Sequence, residues 1–264
     1  MGRLSERFRV LRERGEKALI PFVTAGDPDL DVTEAIVLAI AEAGADAIEL
    51  GVPFSDPMAE GPTIQRASER ALASGTSLRR VLDLVARLRP KIETPLVLMG
   101  YANNLLSMGE TGFADAAARV GVDGLIAVDL PPEEGSDFNR ALRAAGIDPV
   151  LLAAPTTRPE RLAMLAKETR GFLYFVALTG VTGARAAIST TLEPEVRALR
   201  ELSDVPVCVG FGVSTPEQAA RIASFADGVV VGSALVERIA AADSPDAAVD
   251  AAGRFVGELK AALR

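Results

Sequence analysis

Residues 48–65 read IELGVPFSDPMAEGPTIQ, and this stretch contains a strand, a shaped loop and the start of a helix in succession. Residues 46–52 are apolar apart from their acids, the pattern of a strand buried on both faces of a parallel sheet. Pro53, Ser55, Asp56, Pro57 and Gly61 are turn formers, so 54–62 is a loop rather than a continuation of strand or helix. A helix-compatible stretch follows over 63–88. Glu49 falls near the carboxyl end of the strand, where no solvent-facing role is on offer, and Glu60 falls on the loop above it. These two carboxylates are the candidate chemistry.

The same unit recurs along the chain. Short apolar runs at 19–25, 47–52, 96–101, 124–129, 149–154, 172–177, 206–211 and 228–232 read as eight strands. Helical patterning or start signals lie between them at 31–43, 63–88, 113–120, 133–145, 159–167, 195–202 and 216–225. Ser214 or Thr215 before Pro216 and Glu217 is a helix cap with proline in the first turn, and Gly44, Gly121 and Gly146 stand where helices should stop. Eight such units in 264 residues predict an α/β fold of the closed (β/α)8, or TIM-barrel, type. A doubly wound open sheet is the alternative. Residues 3–14 predict an extra amino-terminal helix, and 1–264 reads as a single domain without linker or low-complexity segment.

Composition narrows the function. No stretch approaches the roughly 20 uninterrupted apolar residues of a membrane helix, and the charged amino terminus is not a secretory signal. A soluble cytoplasmic protein is expected. A net charge of −8 argues against nucleic acid as the main partner. The single cysteine, Cys208, lies within an apolar run and reads as a packed thiol. The chain has no histidine, which removes the usual general base and the commonest metal ligand. Carboxylates, tyrosine or backbone must then do the chemistry, and no metal is expected.

In a barrel, functional groups gather where strands end and the following loops begin, so Glu49, Glu60, Tyr101, Asp129 and Tyr174 should share one face. Two carboxylates there can divide acid and base roles if apolar surroundings raise one pKa. Phe22, Met99, Ile126, Leu152 and Phe211 would line an apolar slot, although each also suits plain barrel core. Asp129 equally suits a loop-capping role. Three glycine-bearing loops, GVTGAR, GFG and VGSALVERI, follow the sixth, seventh and eighth strands. Gly183, Gly212 and Gly232 would let backbone N–H groups approach an anion and Ser233 would donate from the start of a helix, together a phosphate site. Residues 180–190 have the small-residue composition of a closing lid or of an ordinary surface loop.

LIPFVTAGDPD at the first strand, IELGVPFSDP through GPTIQ at the second, YANN after the third, DLPPEE after the fourth, and GVTGAR, GFGVSTPEQ and GSALVERI later all occur in order. This set resembles the tryptophan synthase alpha subunit family over nearly the whole chain. The resemblance implies cleavage of indole-3-glycerol phosphate into indole and glyceraldehyde 3-phosphate. It gives Glu49 the proton transfers and Glu60 the indole N–H. Thr182 joins Phe22, Met99, Tyr101, Ile126, Asp129, Leu152, Tyr174 and Phe211 as substrate-binding residues. It further implies an αββα complex with a beta subunit, contacted through Pro53, Asp56, Pro57, Asn103 and Asn104, with pyridoxal phosphate on the beta subunit and no cofactor here. One departure stands out: this chain reads EGPTIQ where the family usually carries aspartate, a carboxylate advanced by about one carbon–carbon bond, ~1.5 Å. The rival readings are a subunit that binds and activates its partner with lyase activity weakened at Glu60, and another phosphosugar-binding barrel enzyme.

Overall fold

The computed structural model describes residues 2–177, 192–210 and 212–264. Among them the strands are β1 (Ala18–Thr24), β2 (Ile48–Gly51), β3 (Leu96–Gly100), β4 (Gly124–Ala127), β5 (Asp148–Pro149), β6 (Leu152–Ala153), β7 (Leu173–Val176), β8 (Val207–Gly210) and β9 (Gly228–Val231). They pair in parallel in the order β5-β4-β3-β2-β1-β9-β8-β7-β6. The two ends of that order, β5 and β6, are halves of one predicted strand separated only by Val150 and Leu151. Val150 N donates to Leu125 O at 2.9 Å on one side, and Leu151 O accepts from Tyr174 N at 3.0 Å on the other. The sheet therefore closes on itself. An open doubly wound sheet is ruled out, and the single strand expected at 149–154 is interrupted where it changes neighbours.

Strand alternation sorts the side chains. Ile20, Val97, Ile126, Val150, Phe172, Cys208 and Val230 fill the barrel, and α1 (Arg3–Arg14) plugs its amino end with Leu4, Phe8 and Leu11. Leu19, Ile48, Leu50, Leu96 and Leu98 point outward into the larger core beneath the helices. The helix expected over 63–88 is two, α3 (Pro62–Ala73) and α4 (Leu78–Leu88), because the chain turns at Gly75 with φ +81°. The remaining helices are α2 (Leu30–Glu42), α5 (Ala102–Leu105), α6 (Glu110–Val120), α7 (Ser136–Ala144), α8 (Pro159–Glu168), α9 (Leu192–Leu202), α10 (Pro216–Ala223), α11 (Ser233–Ala240) and α12 (Pro245–Ala262). Sequence reading missed α12. Its signals were present: Ser244 accepts from Ala247 N, Pro245 opens the first turn, and Ala248, Ala252, Phe255, Val256 and Leu259 form the buried face. The alanines make that face too low in contrast to stand out from the alanine-rich flanks. No helix among the described residues is long and apolar enough to cross a membrane.

The amino-terminal end of the barrel carries a repeated device. Asp46 N donates to Leu19 O at 2.9 Å while Leu19 N donates to Asp46 Oδ2 at 2.7 Å. Asp123 brackets Leu96 in the same two ways, each at 2.9 Å, and Asp227 brackets Val207 at 2.9 and 3.0 Å. In the sixth position Thr169 Oγ1 accepts from Leu151 N at 3.1 Å. The residues leading into β2, β4, β7 and β9 thus each satisfy an orphan N–H at the start of the preceding neighbour in the barrel. Arginines neutralise these carboxylates: Arg7 on the buried Asp46, Arg3 on the buried Asp123 and Arg200 on the half-buried Asp227. Lys260 of α12 reaches Asp46 Oδ2 at 2.7 Å, tying the last helix to the second strand.

Candidate active site

The opposite end of the barrel is built differently. Alternation along β2 sends Ala47, Glu49 and Gly51 inward, so Glu49 enters the mouth from a rigid strand. Its side chain is 1 % exposed, and its Oε1 has no hydrogen-bond partner among the described residues. Burial pushes its carboxyl up to about 8, and the charge of Glu60 pushes the same way. A carboxyl in that state holds its proton at neutral pH and is poised to act as an acid.

Glu60 arrives on the loop between β2 and α3. Its backbone is held at three points: Glu60 N donates to Pro57 O at 3.0 Å, Gln65 Nε2 donates to Glu60 O at 2.9 Å, and Ala59 N next door donates to the Tyr101 hydroxyl at 3.1 Å. The Tyr101 ring in turn stacks on Phe54, with centroids 5.0 Å apart. Burial pushes the Glu60 carboxyl up to about 7 and the Tyr101 phenol up to about 12, with Glu60 adding to the latter. Tyr174 is pushed up by burial, then by Glu49, then by Glu60. Glu60 and Tyr101 line one pocket together with Gly51, two residues beyond Glu49 on the same face of β2, and Tyr174 stands against Gly210 at the end of β8. Two glycines make room: a Cβ on Gly51 would lie 2.5 Å from the Phe22 ring, and one on Gly210 would lie 2.3 Å from the Tyr174 hydroxyl.

A family model described as "Tryptophan synthase alpha chain" matches residues 8–264. The tryptophan synthase alpha chain of Geobacter sp. strain M21 is 56% identical, the match covering 90% of this chain and 89% of that one. That of Geobacter sulfurreducens is 50% identical, covering 100% and 98%. The crystal structure of the alpha chain from Legionella pneumophila superimposes with a TM-score of 0.91 at 39% identity, covering 100% of this chain and 97% of the other. The chain belongs to the tryptophan synthase alpha chain family.

Phe22 and Met99 meet at the mouth, packed with Ile64, Ala67 and Val236. Ile126 lies deeper, fully buried in the barrel interior, and Leu152 and Tyr174 pack on that interior from above. Asp129 is exposed, and its Oδ1 accepts from Ala102 N at 2.7 Å, so in the structure it fastens the start of α5. Gly212 has φ +74°, and Gly232 with the exposed Ser233 begins α11. Thr182, Gly183 and Phe211, with the 180–190 loop, lie outside the described residues.

The predicted partner loops touch each other: Asn104 Nδ2 donates to Pro53 O at 3.4 Å and Asn104 Oδ1 accepts from Tyr101 N at 3.2 Å. Asn103 and Asp56 are exposed, Pro57 is half-buried, and Met58 at the loop tip is 84 % exposed. Sequence reading missed Thr24, Phe54, Ile64 and Ser68, all of which line the pocket with Glu60. Parity with Phe22 on β1 could have found Thr24. Ile64 and Ser68, four apart at the start of α3, carry the weaker signal of one helix face.

Proposed function

We propose that Glu49 carries the proton transfers and Glu60 holds the indole N–H in the cleavage of indole-3-glycerol phosphate to indole and glyceraldehyde 3-phosphate, the carbon–carbon lyase reaction of this family in tryptophan biosynthesis. The observation that carries the reading is a buried carboxyl, Glu49, with an unpartnered oxygen and a raised pKa at the mouth of the barrel. Neutral Glu49 delivers its proton to indole C3. Electron density from the ring nitrogen supports that step, and Glu60 accepts the indole N–H and stabilises the positive charge that develops. Glu49, now a carboxylate, takes the proton from the hydroxyl on the adjoining glycerol carbon. The bond from C3 to that carbon breaks, the carbon becomes the aldehyde, and the electron pair returns to the indole ring. One proton enters and one leaves, so Glu49 ends as it began.

Phe22 and Met99 supply the apolar walls that an indole ring needs, with Tyr101, Ile126, Asp129, Leu152, Tyr174, Thr182 and Phe211 assigned to the remaining substrate contacts. The phosphate is assigned to Gly183 after the sixth barrel strand and to Gly212, Gly232 and Ser233 after the seventh and eighth, the two loops that phosphate sites in this architecture frequently use. Family members function with a beta subunit. In this reading the complex is αββα, docked through Pro53, Asp56, Pro57, Asn103 and Asn104. Pyridoxal phosphate is carried by the beta subunit, this chain needs no cofactor, and the complex works in the cytoplasm. The decisive experiment follows indole release from indole-3-glycerol phosphate by purified protein, with and without a beta chain. Release that rises with the beta chain is the expected result. Stimulation of the beta reaction without any cleavage would make this an activating subunit and Glu60 the cause.

A further inference from the structure

The pocket that Glu60 lines also holds a buried polar group to which the mechanism above gives no task. Thr24 ends β1 on the inward face, two residues beyond Phe22 and in register with Gly51 of β2. It is 3 % exposed, and its Oγ1 has no hydrogen-bond partner among the described residues. A buried hydroxyl left unpaired is costly, so its position calls for a partner acquired later. The pocket it lines is also lined by Glu60, Phe22 and Tyr101. The Glu60 side chain has no hydrogen bond among the described residues. Its backbone, by contrast, is fixed by Pro57, Gln65 and the Tyr101–Ala59 contact. The carboxylate is therefore the free end of a tethered residue, with one more rotatable bond than aspartate would have.

We propose that Thr24 is a positioning residue whose hydroxyl donates to the Glu60 carboxylate in the substrate complex and holds the longer side chain in line with the indole N–H. The inference rests on the assignment of Glu60 made above. An aspartate at position 60 would end about 1.5 Å short, beyond the tolerance of a hydrogen bond of roughly 2.5–3.0 Å between oxygens. The hydroxyl and the extra methylene thus form a matched pair. Because the donor favours the ionised carboxylate, its loss has a defined sign: the pKa of Glu60 in the complex rises, and the acidic limb of kcat moves to higher pH.

The test measures indole release against pH, with beta chain present, for the parent, Thr24→Val, Thr24→Ser and Thr24→Ala. Thr24→Val is expected to lower kcat on the order of 10-fold, as befits one hydrogen bond to a charged group, with KM little changed. The acidic limb should rise by the matching factor, about one pH unit. Thr24→Ser should restore both, and the Val variant should melt no lower than the parent because it removes an unpaired hydroxyl. In a Glu60→Asp background the Val substitution should change kcat by less than about 2-fold, the mark of coupled residues. Thr24→Ala gives the same limb shift if Val disturbs folding. Unmoved kcat and unmoved limb in the Val and Ala variants, alongside a Glu60→Gln variant that has lost turnover, would overturn the proposal and leave the Glu60 assignment intact. Normal turnover by Glu60→Gln would overturn that assignment itself, and with it any route from Thr24 through Glu60.

Discussion

Asp46 and Glu49 are three residues apart at the same strand, both 1 % exposed, yet they belong to opposite kinds of chemistry. Asp46 lies at the closed end of the barrel and accepts from Leu19 N, Arg7 and Lys260. Glu49 lies at the open end with an oxygen that accepts from nothing among the described residues. Burial is equal, so burial by itself does not make a functional carboxylate. What differs is the supply of donors. Where strands begin, orphan N–H groups and the arginines of α1 converge on the carboxylate and make it structural. Where strands end, the backbone is already paired in the sheet, and the loops present Glu60, a second acid, in place of a cation. Among the described residues no cation pairs with Glu49, and that carboxyl is left to hold a proton.

The comparison breaks most sharply at Glu49. Glu49→Gln is expected to lower kcat by about 10²–10⁴, the usual range for a general acid, with binding of indole-3-glycerol phosphate retained in a calorimetric titration. Near-parental turnover would remove Glu49 from the mechanism. At the other end, Asp46→Ala strands Lys260 and Arg7 without their counter-charge. A loss of about 3–5 kcal/mol of stability in urea unfolding is expected, with kcat of the folded fraction unchanged; a fall in kcat at intact stability would erase the division between the two ends.

The pH dependence of stability sharpens the same contrast. Glu49 is raised from 4.5 to about 8 on folding, so the folded state holds its proton where the unfolded chain releases it. The favourable contribution is complete below about pH 4.5 and is lost as pH rises through 8. Glu49→Gln should therefore match the parent at pH 4 and exceed it by a few kcal/mol, as an order of magnitude, at pH 9. Equal stability of the two proteins across that range would mean that Glu49 is not held protonated. The smallest effect is expected at the loop. Glu60→Asp should turn over about 10-fold more slowly than the parent, because the shorter carboxylate no longer reaches the Thr24 hydroxyl. Turnover equal to or faster than the parent's would show that the pocket is not fitted to glutamate and would count against Thr24 as its support.

Much of this was legible before any coordinates. The recurrence of apolar runs and capped helices gave the barrel, and strand parity put Glu49 inside it. Gly75 within 63–88 was overlooked as a break because helical periodicity continues on both sides of it, and α12 was lost in alanine. The role of Asp129 stayed open because a strand-end aspartate serves a site or a loop with the same residue, and only the contact to Ala102 N shows what it holds. Thr24, Phe54 and Ile64 lie inside the quoted motifs and Ser68 just beyond one, but nothing in their residue types marks them as site residues. They became pocket walls by position.

What the sequence by itself determined is the order and type of the units, the presence of two acids at one strand-loop junction, and the lack of histidine that leaves proton transfer to carboxylates. These are local facts, set by side-chain period, turn residues and composition. The tertiary structure decided which acid is paired and which is not: Asp46 meets Lys260 across 214 residues of chain, and Glu49 is raised by desolvation and by a loop whose backbone Tyr101 fixes. A pKa depends on what surrounds a group in space, and that surrounding is assembled only when the barrel closes.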